Sequence, residues 1–353
     1  MKPVRELLRD LNPWLIHAAL AAVLMGCSLQ PHAVTQSVSR ETLGHLSAGS
    51  ADLNELSIRR TTTGIAATGK WKAPNVVEVP MQWSHGLPHI PAKVNGHAVS
   101  FILDSGSEGT VLEADTALRC GVRTVHSSAG NFKISGVSGL EPVLLGVPDK
   151  IEIGGWSWEG IPCLVRTKRT DISGEVLFGS RRFTINLLGM DVMRHTCSYV
   201  TLDYPAGKAV FGFAGSYQPE GGRPVWSAPM TSKGGLVTVR VGDGRSTWSA
   251  IVDTGSSGCV EISEIDAGRG GNRYAQRSAA VPVFRVGVGI PNSPAATTTR
   301  ATRIDSLDHL GPRLLRVPTL IVPDNSKIGS GLFRPFRVTL DFRRSVLWLE
   351  GAH

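Results

Sequence analysis

Residues 101–112 read FILDSGSEGTVL, and residues 250–262 read AIVDTGSSGCVEI. In each, an apolar strand runs directly into a carboxylate, Asp104 or Asp253, and then into a tight loop of Ser, Thr and Gly. A carboxylate at the end of a buried strand is costly to desolvate unless donors surround it. A loop of small residues supplies such donors as backbone N–H groups and hydroxyls, and its glycines allow close backbone approach. One loop of this kind could be an ordinary turn. Two copies, 149 residues apart, ask for a joint explanation.

The copies lie inside a longer internal repeat. VPMQWSHGLPHIPAKVNGHAVSFILDSGS, from Val79, matches APMTSKGGLVTVRVGDGRSTWSAIVDTGS, from Ala228, in order and spacing. In both, a Pro-Met pair (Pro80-Met81, Pro229-Met230) stands 24 residues before the Asp. An alternating apolar strand, a turn (Asn95-Gly96; Gly242 to Gly244) and a second strand follow. Farther on, EGIPCLVR around Pro162 matches LRVPTLIVP around Pro318, and Val-Thr-Leu-Asp recurs identically at 200–203 and 338–341. The repeat predicts two lobes of similar topology, residues 76–217 and 218–353, with a seam in the Gly- and Pro-rich GSYQPEGGRP.

The fold class expected is all-β. With 40 Gly and 21 Pro the chain is rich in turns, its apolar runs are short and rich in Val, Ile and Leu, and no long 3.6-residue period appears in its body. The net charge of +8 is carried by scattered Lys and Arg without a recognition motif, which argues for a soluble basic surface and no nucleic-acid partner.

If two-fold symmetry brings both loops to the lobe interface, Asp104 and Asp253 lie close together. Two adjacent carboxyls cannot both ionise easily and share one proton. One then serves as general base on a water, and the other, protonated, polarises a carbonyl.

On these residues the chain resembles the pepsin/retropepsin-like aspartic peptidases. The resemblance covers roughly residues 76–350 and rests on Asp104-Ser105-Gly106-Ser107, Asp253-Thr254-Gly255-Ser256 and the apolar-apolar-Gly signal Leu187-Leu188-Gly189. It is closest in style to the bacterial retropepsin-type branch, here repeated in tandem. The resemblance implies a two-lobed acid-protease fold with pseudo-two-fold symmetry and a catalytic pair, Asp104 and Asp253. It implies that the Ser105 and Thr254 hydroxyls cross-link the loops, and that Ser107 and Ser256 donate to the carboxylates, favouring an acidic working pH. It implies a hairpin flap, for which FKISGVSGLEP (132–142) is the candidate through Ile134, Gly136 and Val137. It implies no metal and no cofactor, a peptide or protein substrate, and a monomer.

Four departures stand out. Ser105 replaces the commoner Thr. The second Gly signal reads Lys327-Ile328-Gly329, with Lys where an apolar residue is expected. No Tyr occurs between residues 105 and 198, so the flap lacks the tyrosine of pepsin-type enzymes. The second lobe's flap has no match between Gly268 and Arg300.

The N-terminus predicts export. Lys2, Arg5 and Arg9 precede an apolar run from Trp14 to Gly26, too short to span a bilayer comfortably but suited to a secretory signal. Leu24-Met25-Gly26-Cys27 resembles the lipobox of bacterial lipoproteins, which implies a lipidated Cys27, a lipid-bilayer anchor and, with Ser28 following, the periplasmic face of the outer membrane. An ordinary cleaved signal is the alternative. Residues 1–27 are thus read as a lipoprotein signal with its Cys, and residues 28–75 as a flexible, polar tether with a short helix near Asp52 to Ile58. Cys120, Cys163, Cys197 and Cys259 allow three disulfide connectivities or none. Two functions compete: a tethered aspartic endopeptidase, and a binding or scaffolding lipoprotein that retains the fold without catalysis.

Overall fold

The repeated Val-Thr-Leu-Asp sits at the centre of the molecule. Strand Tyr199–Asp203 pairs antiparallel with Arg337–Asp341, placing Thr201 opposite Thr339, with Val200 opposite Leu340 and Leu202 opposite Val338. The two threonine hydroxyls are hydrogen-bonded at 2.7 Å. Exchanging the lobes maps this pairing onto itself. Outward from it run Lys208–Gly212 and Val76–Pro80 on one side, and Val346–Glu350 and Val225–Lys233 on the other. Each lobe thereby contributes three strands to one shared sheet. The Pro-Met pairs of the repeat occupy equivalent places: Met81 N–H donates to the Gly207 carbonyl and Met230 N–H to that of Ser345.

This computed structural model describes residues 32–49, 51–52, 58–61, 64–67, 69–125, 132–136, 139–174, 179–269, 273–283 and 297–351. The first-lobe sheet runs in the order Gly139–Val147, Cys163–Arg166, Val111–Glu113, Leu187–Leu188, His97–Leu103, Leu87–Val94. The second runs Thr297–Leu307, Leu314–Val322, Val260–Ser263, Lys327–Gly329, Thr247–Asp253, Leu236–Gly242. The two orders are the same. In both, a short strand (Leu187–Leu188, Lys327–Gly329) lies parallel to the end of the Asp-bearing strand.

The sequence of the Asp-bearing strands follows from this position. Leu87–Val94 alternates, with Ile90, Ala92 and Val94 buried and Pro91 and Lys93 exposed, as a half-buried strand should. Phe101, Ile102 and Leu103 are buried without alternation, because the strand end is covered on both faces. Ala250, Ile251 and Val252 are buried in the same way. The turn at Asn95-Gly96 has both residues at positive φ, 49° and 80°, the backbone that a two-residue hairpin needs and that Asn-Gly adopts readily.

The segment 28–75 departs from the expected tether. Within its described part, Arg40–Ser47 is a helix capped by Ser39, whose Oγ accepts the Thr42 N–H. Val38 and Leu46 are buried in the main core, and Leu43 packs against it. Lys70–Lys72 pairs with Trp156–Glu159. The short helix expected near Asp52 to Ile58 falls on residues 53–57, which lie outside the described residues; Asp52 is irregular and Ile58–Thr61 is a strand. Order therefore begins before Val76, because isolated apolar side chains in this polar stretch find a docking surface on the first lobe. Cys120, Cys163 and Cys197 are buried and Cys259 is half-buried; all four are free thiols.

Candidate active site

Asp104 and Asp253 emerge at the ends of their strands, where the two lobes meet. Each following loop closes as a tight turn, with Ser107 N–H donating to the Asp104 carbonyl and Ser256 N–H to that of Asp253. The loops are interlocked by four reciprocal hydrogen bonds. Ser105 N–H donates to Thr254 Oγ1 (2.9 Å), and Ser105 Oγ donates to the Val252 carbonyl (2.6 Å). Thr254 N–H donates to Ser105 Oγ (3.1 Å), and Thr254 Oγ1 donates to the Leu103 carbonyl (2.7 Å).

The glycines of the loops have a steric reason. A Cβ on Gly106 would lie 2.3 Å from the Asp253 carboxyl carbon, and one on Gly255 would lie 2.3 Å from that of Asp104. Each loop backbone therefore presses against the other lobe's carboxylate, and only glycine leaves the room.

Behind the loops, Leu187-Leu188-Gly189 and Lys327-Ile328-Gly329 occupy equivalent positions. A Cβ on Gly189 would fall 2.4 Å from the Gly109 carbonyl, and one on Gly329 would fall 2.3 Å from the Gly258 carbonyl. The altered first residue of the second signal does not disturb this packing. Met190 N–H donates to the Ser107 carbonyl and Ser330 N–H to that of Ser256, so each following helix holds its own loop. Two supports had no sequence signal. Asp191 accepts from Thr110 N–H and Oγ1 at 2.9 and 2.8 Å. Ser330 Oγ, itself paired with the Tyr204 hydroxyl, donates to the Thr254 carbonyl. Burial pushes the Asp191 carboxyl up to about 6.

The first-lobe flap candidate is a hairpin, Phe132–Gly136 against Gly139–Val147, closed by Gly136 opposite Gly139. Ile134 packs on the apolar cluster of Leu87, Ile102, Val111, Ile185 and Leu187. Val137 lies outside the described residues. The strand behind it is anchored by a buried ion pair, Arg166 Nη2 to Glu141 Oε2 at 2.9 Å, with Glu113 Oε1 3.9 Å from Arg166 Nη1. The second lobe has its counterpart in Ala279–Val283 paired with Thr297–Leu307, in the same sheet position; residues 284–296 are outside the described part. This hairpin shows no sequence likeness to the first, and only the strand order reveals it.

The electrostatics differ from the sequence expectation. Ser107 Oγ donates to the Gly109 carbonyl, and Ser256 Oγ to Glu261, so neither is spent on the aspartates. Asp104 Oδ1 instead accepts the Gly106 N–H at 2.9 Å. Burial, with the Asp253 carboxyl next to it, raises Asp104 to about 8, against smaller opposing effects of Lys327 and Gly106. The expected bias toward acidic conditions is thereby reversed for the last proton of the pair. Lys327 Nζ lies 2.9 Å from Asp253 Oδ2. Burial works against the lysine charge, but Asp253, Glu261 and Asp104 outweigh it and raise its pKa.

Two interlocked Asp loops, each backed by a glycine strand and each lobe carrying a hairpin at the same sheet position, define the class: a two-lobed acid-protease fold. A family model described as aspartyl protease matches residues 90–192. The resemblance to the pepsin/retropepsin-like aspartic peptidases thus holds over the stretch that carries Asp104, the first hairpin and Leu187-Leu188-Gly189. The second lobe is tied to the first by topology. No curated protein matches the chain. Among solved structures, the aspartic proteinase from Irpex lacteus is similar over 78% of this chain and 97% of that one, at 15% identity and a TM-score of 0.46.

Proposed function

We propose that the chain is a monomeric aspartic endopeptidase that hydrolyses peptide bonds with a water activated between Asp104 and Asp253. One observation carries this reading: the reciprocal Ser105 and Thr254 hydrogen bonds hold both carboxylates at a single interface within one chain. The ionised carboxylate takes a proton from water as the water oxygen attacks the scissile carbonyl, and the protonated one gives its proton to the carbonyl oxygen. Collapse of the resulting diol returns a proton to the leaving nitrogen. The first-lobe hairpin would close over the substrate and exclude water.

The same proposal places the enzyme outside the cytoplasm, held on the periplasmic face of the outer membrane by lipid on Cys27. It rests on the leader sequence alone, since residues 1–31 lie outside the described part. Replacing Cys27 with Ser should release the protein from membranes.

A binding or scaffolding lipoprotein is the second reading, and Lys327 favours it: a cation bonded to one of the two carboxylates could quench a base. Incubating the purified protein with a diverse peptide mixture from pH 3 to 9 separates the two. The enzyme reading expects cleavage by the wild type and none by Asp104→Asn or Asp253→Asn. A folded wild type that cleaves at no pH supports the second reading, and cleavage undiminished in either variant overturns the first.

A further inference from the structure

We infer that Lys327 is a positioning residue that sorts the dyad, holding Asp253 as the carboxylate base and leaving Asp104 to carry the shared proton. The inference rests on the endopeptidase reading for its meaning, but its geometry stands on its own. In the first lobe the corresponding strand position is Leu187, whose cross-strand partner is Val111. In the second lobe the corresponding pair is Lys327 and Glu261. An apolar cross-strand pair has thus become an ion-forming pair at one lobe only. Glu261 faces Lys327 through a one-residue difference in register, since the residue seven positions after Asp253 is Val260, as Val111 is after Asp104.

The charges around Lys327 are few. From the end of its parallel neighbour strand comes Asp253, 2.9 Å away. The antiparallel neighbour strand supplies Glu261, which also accepts from Ser256 Oγ at 3.3 Å. Across the lobe interface lies Asp104, acting at longer range. Among the described residues Tyr204 is a further titratable neighbour of Asp253, with its hydroxyl on Ser330 and burial keeping it neutral. The Lys327 and Asp253 side chains are only 14% and 7% exposed, so solvent screens their attraction weakly.

Two carboxyls related by symmetry have no reason to prefer either site for their one proton. A cation bonded to one of them removes that degeneracy. In the reaction, an O–H bond of the water breaks, its proton goes to Asp253 and a C–O bond forms. The carbonyl π pair takes the proton from Asp104. Asp253 then passes its proton to the leaving nitrogen as the C–N bond breaks, and Asp104 recovers one from the diol hydroxyl. Each carboxyl thus ends the cycle in the state in which it began.

Removing the cation weakens the ionised state of the nearby Asp253 more than that of Asp104. For Lys327→Met, the acid limb of the kcat/KM profile should move to higher pH by about one unit or more, a roughly tenfold rise in proton affinity. The alkaline limb should move less, and KM should change little. Lys327→Arg should restore the acid limb. Glu261→Gln removes a negative neighbour and should shift the acid limb the opposite way, to lower pH. Matching profiles in wild type and Lys327→Met, or a Glu261→Gln shift to higher pH, would overturn the inference. Carbon-13 NMR titration of the aspartate carboxyls in the full chain reads the same effect without turnover. Asp253 should ionise at lower pH in the wild type than in Lys327→Met; identical titrations would sink the inference even in an active enzyme. A wild type that cleaves nothing but shows the NMR shift would instead overturn only the endopeptidase reading.

Discussion

Ser105 and Thr254, far apart in the chain, each donate a hydroxyl hydrogen bond to the other lobe's strand, at the Val252 and Leu103 carbonyls. Each hydroxyl also accepts the other residue's backbone N–H. All four partners are buried, so the lobes cannot separate here without leaving donors and acceptors unpaired.

Thr254→Val keeps the shape but removes the hydroxyl, orphaning the Leu103 carbonyl and the Ser105 N–H. A loss of about 2–6 kcal/mol is expected, from two unsatisfied buried groups at roughly 1–3 kcal/mol each. Urea unfolding measures it, and kcat should fall with it as the carboxylates lose their spacing. Ser105→Thr retains the hydroxyl and should be mild in both measurements.

Gly329→Ala and Gly44→Ala should move stability in opposite directions. At Gly329 a Cβ meets the Gly258 backbone at 2.3 Å, while at Gly44, inside the helix Arg40–Ser47, nothing lies within 4 Å. The first should destabilise by about 3 kcal/mol or more through forced backbone movement. The second should stabilise by about 0.5–1 kcal/mol through reduced unfolded-chain entropy. Thermal melts of the two variants check the pair together.

Asp104 gives a pH dependence with a definite sign. Its folded-state value of about 8 stands above the ordinary 3.8, so between these limits the folded chain holds a proton that the unfolded chain has lost. Stability associated with this group is therefore complete at low pH and declines as pH rises from about 4 to about 8. Asp104→Asn cannot ionise and escapes that decline. Its melting temperature relative to wild type should climb across this range in a series of melts. Wild-type activity should fall above about pH 8, where the pair loses its last proton.

Arg166 is fully buried between Glu141, on the strand of the first hairpin, and Glu113. Arg166→Met leaves carboxylates without their cation and should cost about 3–5 kcal/mol at neutral pH. Denaturant midpoints at pH 7 test the statement.

What the sequence made legible was what local sterics and burial dictate. The glycines after each Asp, and those of the two Gly signals, are required by contacts too close for any Cβ, so they stand out at their positions. Phe101-Ile102-Leu103 shows its burial on both faces by abandoning alternation. The repeated Val-Thr-Leu-Asp marks the lobe axis because each copy pairs with the other. Other features depend on partners distant in the chain. Val38 and Leu46 are isolated apolar residues whose burial depends on the first lobe's surface. The second hairpin is held by backbone pairing that almost any sequence can make. The directions taken by the Ser107 and Ser256 hydroxyls are rotamer choices that the loop motif does not encode. Lys327 was visible as a departure, but its contact with Asp253 follows only from the parallel register of Lys327–Gly329 on Thr247–Asp253.

The central claim is that Asp104 and Asp253 form one working unit, and kcat/KM on a single cleaved peptide tests it for the wild type, Asp104→Asn, Asp253→Asn and the double variant. Groups that act as a unit lose activity together, so each single variant should fall by at least about a thousandfold and the double variant no further. A single variant within about tenfold of wild type, or a double variant whose loss is the product of the two single losses, would contradict a shared catalytic pair.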